Sequence, residues 1–156
     1  MDEFSGNLLA DRLAAHTIVG IDSAIFIYQL EAHPIYYPLA DRVLSGIAAH
    51  HYRGITSVIT LMELTVHPWR ANMEMIAREY EALLVHFPNL QLIDVNREIA
   101  RRAAQLRARF ALRPADALQV AAALENGATA FVTNDQALNR VVDIVDVIVL
   151  LEFVQG

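Results

Sequence analysis

The sequence contains no cysteine, which excludes a disulfide framework and any metal held by thiolates. It contains no lysine either, because all 12 basic residues are arginine. That removes Schiff-base chemistry and any phosphate loop built around a lysine. The 6 glycines are dispersed, so the glycine-rich turn of a dinucleotide-binding enzyme is missing. No apolar run approaches the roughly 20 residues of a membrane helix, and no membrane partner is expected. The start of the chain is acidic at Asp2 and Glu3 and its apolar residues are scattered, unlike a secretory signal. Together with the missing cysteine, this suits a cytoplasmic setting. Positive charge is scarce overall, with a formal net charge of −6. Such a chain gains little from general attraction to nucleic acid. If it handles RNA, it needs a local arginine patch, a metal ion or a basic partner.

What is present is a chain of 156 residues with 55% hydrophobic content, enough for one domain with a substantial core. Repeats, low-complexity tracts and linkers are absent. Strand-like and helix-like stretches alternate, which indicates an α/β class. Strands are expected over 17–21, 54–57, 90–95, 130–132 and 145–151. The last is apolar enough to be buried on both faces. Helices are expected over 23–32, ended by His33-Pro34, and over 38–51, with Leu39, Val43 and Ile47 on one face. A further helix is expected over 58–66. Pro68 is expected to open a long helix whose buried face carries Trp69, Met73, Ile76, Tyr80, Leu83 and Phe87. Asn96 caps a helix with Ile99, Ala103, Leu106 and Phe110 on one side. Pro114 opens another, which Gly127 ends. Residues 1–16 form an N-terminal extension before a domain over 17–156. Leu8, Leu9 and Leu13 allow either a short packed helix or a partly ordered tail there.

Four acidic residues stand in apolar company. Asp22 follows the first strand, and Asp135 follows the fourth in AFVTND. In an open parallel sheet both would reach the carboxyl rim where ligands bind. Asp116 lies in the first turn after Pro114, and Glu63 lies in VITLMELTV. Ordinary structural roles exist for three of them. Asp22 suits a helix cap, Asp116 complements a helix dipole, and Asp135 suits a turn. Glu63 is harder to explain, since a solvated helix face would carry more polar neighbours. If the four converge, each pair at about 4 Å repels by roughly 4 kcal/mol at an effective dielectric of 20. Such a cluster must take up protons or bind cations. Hard oxygen donors select Mg2+ or Mn2+, ions that activate water and neutralise a phosphodiester.

The stretches IDSAIFIY, ITSVITLMEL, LRPADALQVAAAL and AFVTND, in this order and spacing, resemble PIN-domain ribonucleases. The likeness is greatest to the VapC-type toxins of toxin–antitoxin pairs, and it spans nearly the whole chain from Thr17 to Leu150. It implies a three-layer α/β/α domain with a central parallel sheet of about five strands. It also implies a metal-dependent endoribonuclease, with water attacking phosphorus and the leaving oxygen becoming a 3′ hydroxyl. Asp22, Glu63, Asp116 and Asp135 would be the catalytic and metal-binding set, with Mg2+ or Mn2+ as cofactor. Ser23, Thr133 and Asn134 would be supporting polar residues. The implied partners are an RNA substrate, a small cognate antitoxin and a second copy of the chain in a homodimer. Three departures stand out. Ala24 replaces the Asn, Ser or Thr that many relatives carry two residues after the first Asp. Gln119 stands where many have His, and the leader before the first strand is long. None removes an acidic residue of the set.

Other features admit plainer readings. Arg97, Arg101 and Arg109 fit a solvated helix face, whereas Arg113, three residues before Asp116, is the arginine expected to touch substrate phosphate. Glu98 and Arg102 are spaced for a surface ion pair. Glu63 and His67 are one helical turn apart, but the chain has no HEXXH, so magnesium is favoured over zinc. Tyr36-Tyr37 reads as packing or a dimer contact rather than a base-stacking surface. Two rival functions follow: a silent PIN-like module that only binds a partner, and a PIN nuclease in RNA processing outside toxin–antitoxin systems. A phosphoacceptor receiver domain is disfavoured because it relies on a lysine.

Overall fold

The computed structural model describes residues 3–154; the outer ends of the expected extension and domain, residues 1–2 and 155–156, lie outside them. Strand β1 (Ile18–Ile21) pairs in parallel on one side with β2 (Arg53–Ser57) and on the other with β4 (Ala130–Thr133). Strand β3 (Leu90–Ile93) extends the sheet beyond β2, and β5 (Asp146–Val149) extends it beyond β4. The order is therefore β3-β2-β1-β4-β5, all parallel. Connections after β1 run first one way and later the other, so the strand order reverses between β1 and β4. At such a point the chain diverges above the strand ends and leaves a crevice.

Alternation along the strands divides the core into two. Val19, Ile21, Ala130, Val132 and Ile148 face one side. They pack under α1 (Glu3–Ala14), α2 (Ser23–Leu30) and α3 (Tyr37–Ala48), through Leu9, Leu13, Ile25, Leu39, Val43 and Ile47. Phe131, Val147 and Val149 face the other side, toward α6 (Arg97–Phe110) and α7 (Pro114–Glu125). Helices on both faces make the three layers expected from the sequence. Gly20 allows the tight approach of α7, because a Cβ there would stand 2.6 Å from Ala123 Cβ and 2.7 Å from Phe131 Cδ1. Residues 3–14 take the helical alternative for the leader. Leu9 and Leu13 are fully buried, and Arg12 and His16 reach the Asp146 carboxylate at 2.7 and 2.8 Å.

The expectation for Pro68 is corrected. Helix α4 (Val58–Arg70) runs through Pro68, and α5 (Glu74–Val85) is a separate helix. Pro68 sits in the last turn of α4, where its missing amide leaves the Leu64 carbonyl without its helical partner close to the helix end. The break comes instead at Asn72, whose φ of 55° is left-handed, a conformation asparagine accepts. With the two helices separated, the expected face does not form. Ala77 and Leu84 are the buried residues of α5, while Trp69, Met73 and Leu83 are exposed. One smaller expectation also changes: Arg102 pairs with Glu125 at 3.6 Å rather than with Glu98.

Candidate active site

Asp22 is the residue after β1, and its backbone amide bonds to the Val132 carbonyl of β4 at 2.9 Å. This places its side chain directly over the reversal point of the sheet. One carboxylate oxygen accepts from the Ser23 amide at 2.9 Å, and the other accepts from the Thr133 hydroxyl at 2.7 Å. Asp22 is thus both the cap of α2 and a buried anion. Its exposure is only 9%, and both of these partners are neutral. Burial is the main reason its pKa rises to about 6. The Thr133 hydrogen bond opposes the rise, nearby Asp116 adds to it, and Glu63 adds a little more.

Glu63 is delivered by α4, whose first turn is fixed by the Ser57 hydroxyl accepting from the Ile59 amide at 3.1 Å. Partial burial raises the Glu63 pKa, a hydrogen bond from Ser23 lowers it, and Asp116 raises it. Ser23 therefore bears on two carboxylates: its amide donates to Asp22, and its side chain lies near enough to Glu63 to favour the charged form. Asp116 lies in the first turn of α7. Asp135 follows β4, its amide bonded to the Thr133 hydroxyl at 3.1 Å and its Oδ1 accepting from the Ala137 amide at 2.9 Å. The capping and turn roles expected of these residues are realised alongside their gathering at the crevice.

Arg113 does not extend freely into solvent. Its Nε donates to Asp116 at 3.0 Å and its NH2 group donates to Asp135 at 2.8 Å. One guanidinium therefore bridges two of the four carboxylates, and one positive charge faces four acidic groups. Among the described residues no three His, Asp or Glu side chains close into a ready-made metal cage. The donor set is nevertheless all oxygen, the chemistry that hard divalent cations prefer. Its buried member, Asp22, has no cation hydrogen-bonded to it, a costly arrangement for a charge out of water. It is the donor chemistry, and not a closed cage, that suits a divalent cation here.

A buried polar chain behind the carboxylates escaped the sequence reading. Ser57 donates to Gln119 Oε1 at 2.6 Å, and Gln119 Nε2 donates to Thr60 at 2.7 Å. Thr60 shares a hydrogen bond with Thr56 at 2.7 Å, and Thr56 donates to the Ile21 carbonyl at 2.9 Å. The chain fastens α4, which carries Glu63, to α7, which carries Asp116, and to the end of β1. Gln119 stood out in the sequence only as a departure from the histidine of many relatives, and Ser57 only as a serine just before a helix; nothing local paired them. Asn134 is held by its Nδ2 donating to the Tyr28 hydroxyl at 3.0 Å and its Oδ1 accepting from the Leu151 amide at 2.9 Å.

The same arrangement of strands is found in solved proteins. The VapBC2 structure from Rickettsia felis, bound to a DNA fragment from its promoter, contains a chain matching at TM-score 0.62 and 18% identity, covering 83% of this chain and 96% of that one. VapBC-1 from nontypeable Haemophilus influenzae matches at 0.63 and 18%, covering 86% and 98%. DNA-bound VapBC from Salmonella typhimurium matches at 0.60 and 21%, again covering 86% and 98%. No curated protein sequence matches significantly. The family model of the PIN domain matches residues 19–144. That span runs from β1 to just short of β5 and includes all four carboxylates with their supporting serine, threonine and asparagine. On this match the chain belongs to the PIN domain family.

Proposed function

We propose that the protein is a Mg2+- or Mn2+-dependent endoribonuclease and acts as the toxin of a toxin–antitoxin pair. The observation that carries this reading is the buried Asp22 carboxylate, hydrogen-bonded only by neutral groups and faced by Asp116 and Glu63. Asp22, Glu63, Asp116 and Asp135 would hold the cation. When bound, it supplies charge neutralisation of a phosphodiester and activation of a water molecule. Thr133 and Ser23 fix the rotamers of Asp22 and Glu63, so the donors are ordered before substrate arrives. Asn134 braces the loop that carries Asp135. Arg113 stands in for missing positive charge in the resting site. Were its bonds to Asp116 and Asp135 released, its guanidinium would be available to a substrate phosphate, which arginine recognises through paired donors.

Partner binding is supported by the outer surface of α4 and α5, where Met62, Val66, Trp69, Met73 and Met75 are exposed. Beside it, Ile27, Leu30, Leu64 and Tyr80 line a groove that also has Glu63 in its wall. An antitoxin segment laid there would cover apolar surface and block the carboxylates at once. The solved neighbours are themselves VapBC toxin–antitoxin assemblies. Homodimerisation and a cytoplasmic setting belong to the same proposal; no helix among the described residues is long and apolar enough to cross a membrane. The test is cleavage of a mixed RNA pool by purified protein in Mn2+, Mg2+ or EDTA, with Asp22→Asn as control. Metal-dependent cutting that disappears in the variant supports the nuclease. No cutting in any condition, together with no metal binding by calorimetry, transfers the assignment to a silent partner-binding module.

A further inference from the structure

The crevice continues past the carboxylates into a second chamber. A pocket of about 450 Å3 is lined by Asp22, Ala24, Tyr28, Tyr36, Asn134 and Asp135, among others. It shares two walls with the proposed cation site, yet its other walls have a different character. Tyr28 and Tyr36 stack with ring centroids 4.9 Å apart and planes at 29°. His33 packs against both, its ring 4.9 Å from Tyr28 and 5.1 Å from Tyr36. The loop that brings Tyr36 here is held rigidly. His33 Nδ1 accepts from the Ile35 and Tyr36 amides, each at 3.1 Å.

The polar groups on these walls are oriented and only partly used. The Tyr28 hydroxyl accepts from Asn134 and keeps its own proton to donate. Asn134 has spent one amide hydrogen on Tyr28 and one lone pair on the Leu151 amide, leaving a second of each. Among the described residues none hydrogen-bonds the Tyr36 hydroxyl. An aromatic wall with free donors and acceptors at its rim suits a flat, uncharged ring with heteroatoms on its edge. Two carboxylates in the same wall exclude a phosphate unless a cation intervenes.

Resting on the nuclease reading above, we infer that this pocket receives one unpaired nucleobase of the RNA, from a nucleotide neighbouring the scissile phosphate. The base packs against the tyrosine pair and its edge meets Tyr28 and Asn134. Recognition of this kind requires a base swung out of its stack, as single-stranded loops and ends provide.

The test is a cycle between protein and substrate. Wild type, Tyr36→Phe and Tyr36→Ala are compared on one single-stranded RNA that the wild type cuts, and on the same RNA made abasic beside the cut. With intact RNA, Tyr36→Ala loses roughly ten- to a hundredfold in kcat/KM, the range given by one base–aromatic stack, while Tyr36→Phe loses little. With abasic RNA the three proteins cut alike. A 2-aminopurine placed at that position is quenched on binding by wild type and not by Tyr36→Ala. Equal loss on intact and abasic RNA, or no quenching in RNA that is bound and cut, overturns the base pocket and leaves the nuclease standing. Cleavage unchanged in Tyr36→Ala, with a change in oligomer mass by light scattering, assigns the pocket to a second copy of the chain and also overturns it. Absence of wild-type cutting in every metal overturns both proposals.

Discussion

Replacing Asp22 by asparagine is expected to make the metal-free protein more stable at neutral pH. Burial first, and then Asp116 and Glu63, raise this carboxyl from 3.8 to about 6 against the pull of Thr133 and the Ser23 amide. A folded pKa above the unfolded one means the folded state holds the proton more tightly. Well below 3.8 both states are protonated and no penalty exists; it begins as pH passes 3.8 and reaches full size above about 6. That full size is about 3 kcal/mol, a large fraction of a domain's net stability. Asparagine keeps the oxygen that accepts from the Ser23 amide, and its own amide can donate to Thr133. The assay is urea unfolding in EDTA at several pH values. At pH 7.5 the variant should gain up to about 3 kcal/mol, or roughly 6–12 °C in Tm. At pH 4 the gain should shrink toward zero. Adding Mn2+ should then stabilise the wild type and leave the variant unmoved, since the charge that costs stability is the charge that binds the cation. A variant less stable at pH 7.5, or equally favoured at pH 4, would refute the reasoning, because the effect would then come from packing rather than charge.

The opposite sign is expected at Asp146. Partial burial pushes its pKa up, but hydrogen bonds and charge from Arg12 and His16 outweigh that and hold it below 3.8. Its contribution is present above the unfolded value and is lost as pH falls through the folded one. Asp146→Asn should cost about 1 kcal/mol at pH 7, small because the group is a third exposed. Urea midpoints between pH 3 and 7 should show a flatter acid limb, and limited proteolysis should release α1. Gln119→Leu removes the partner of both Ser57 and Thr60, so unfolding free energy should fall by about 1–3 kcal/mol for each group left unpaired, measured with urea. Arg113→Ala removes the guanidinium from between Asp116 and Asp135. Calorimetry without RNA should show tighter Mn2+ binding, while RNA affinity should weaken; unchanged values in both would leave Arg113 a surface residue only.

Local chemistry made much of this protein legible without coordinates. Short apolar runs each followed by an acidic residue marked β1 with Asp22 and β4 with Asp135, because a strand buried on both faces has no room for polar residues until it ends. The periodicity of α3 and α6 named Leu39, Val43, Ile47, Ile99, Ala103 and Leu106, all buried as expected, and Phe110, which is only partly buried. Where two local signals competed, sequence misled. Pro68 promised a helix start, yet the turn fell at Asn72, and the core accepted Ala77 and Leu84 in place of larger neighbours. What sequence alone determined was the alternation of elements and the identity of the acidic residues. Only the tertiary structure decided their company. Thr133 meets Asp22 across 111 positions, Asn134 meets Tyr28 across 106, and Ser57 meets Gln119 across 62. No local propensity encodes such pairs, since they exist only after the parallel sheet has brought the carboxyl ends of its strands to one rim.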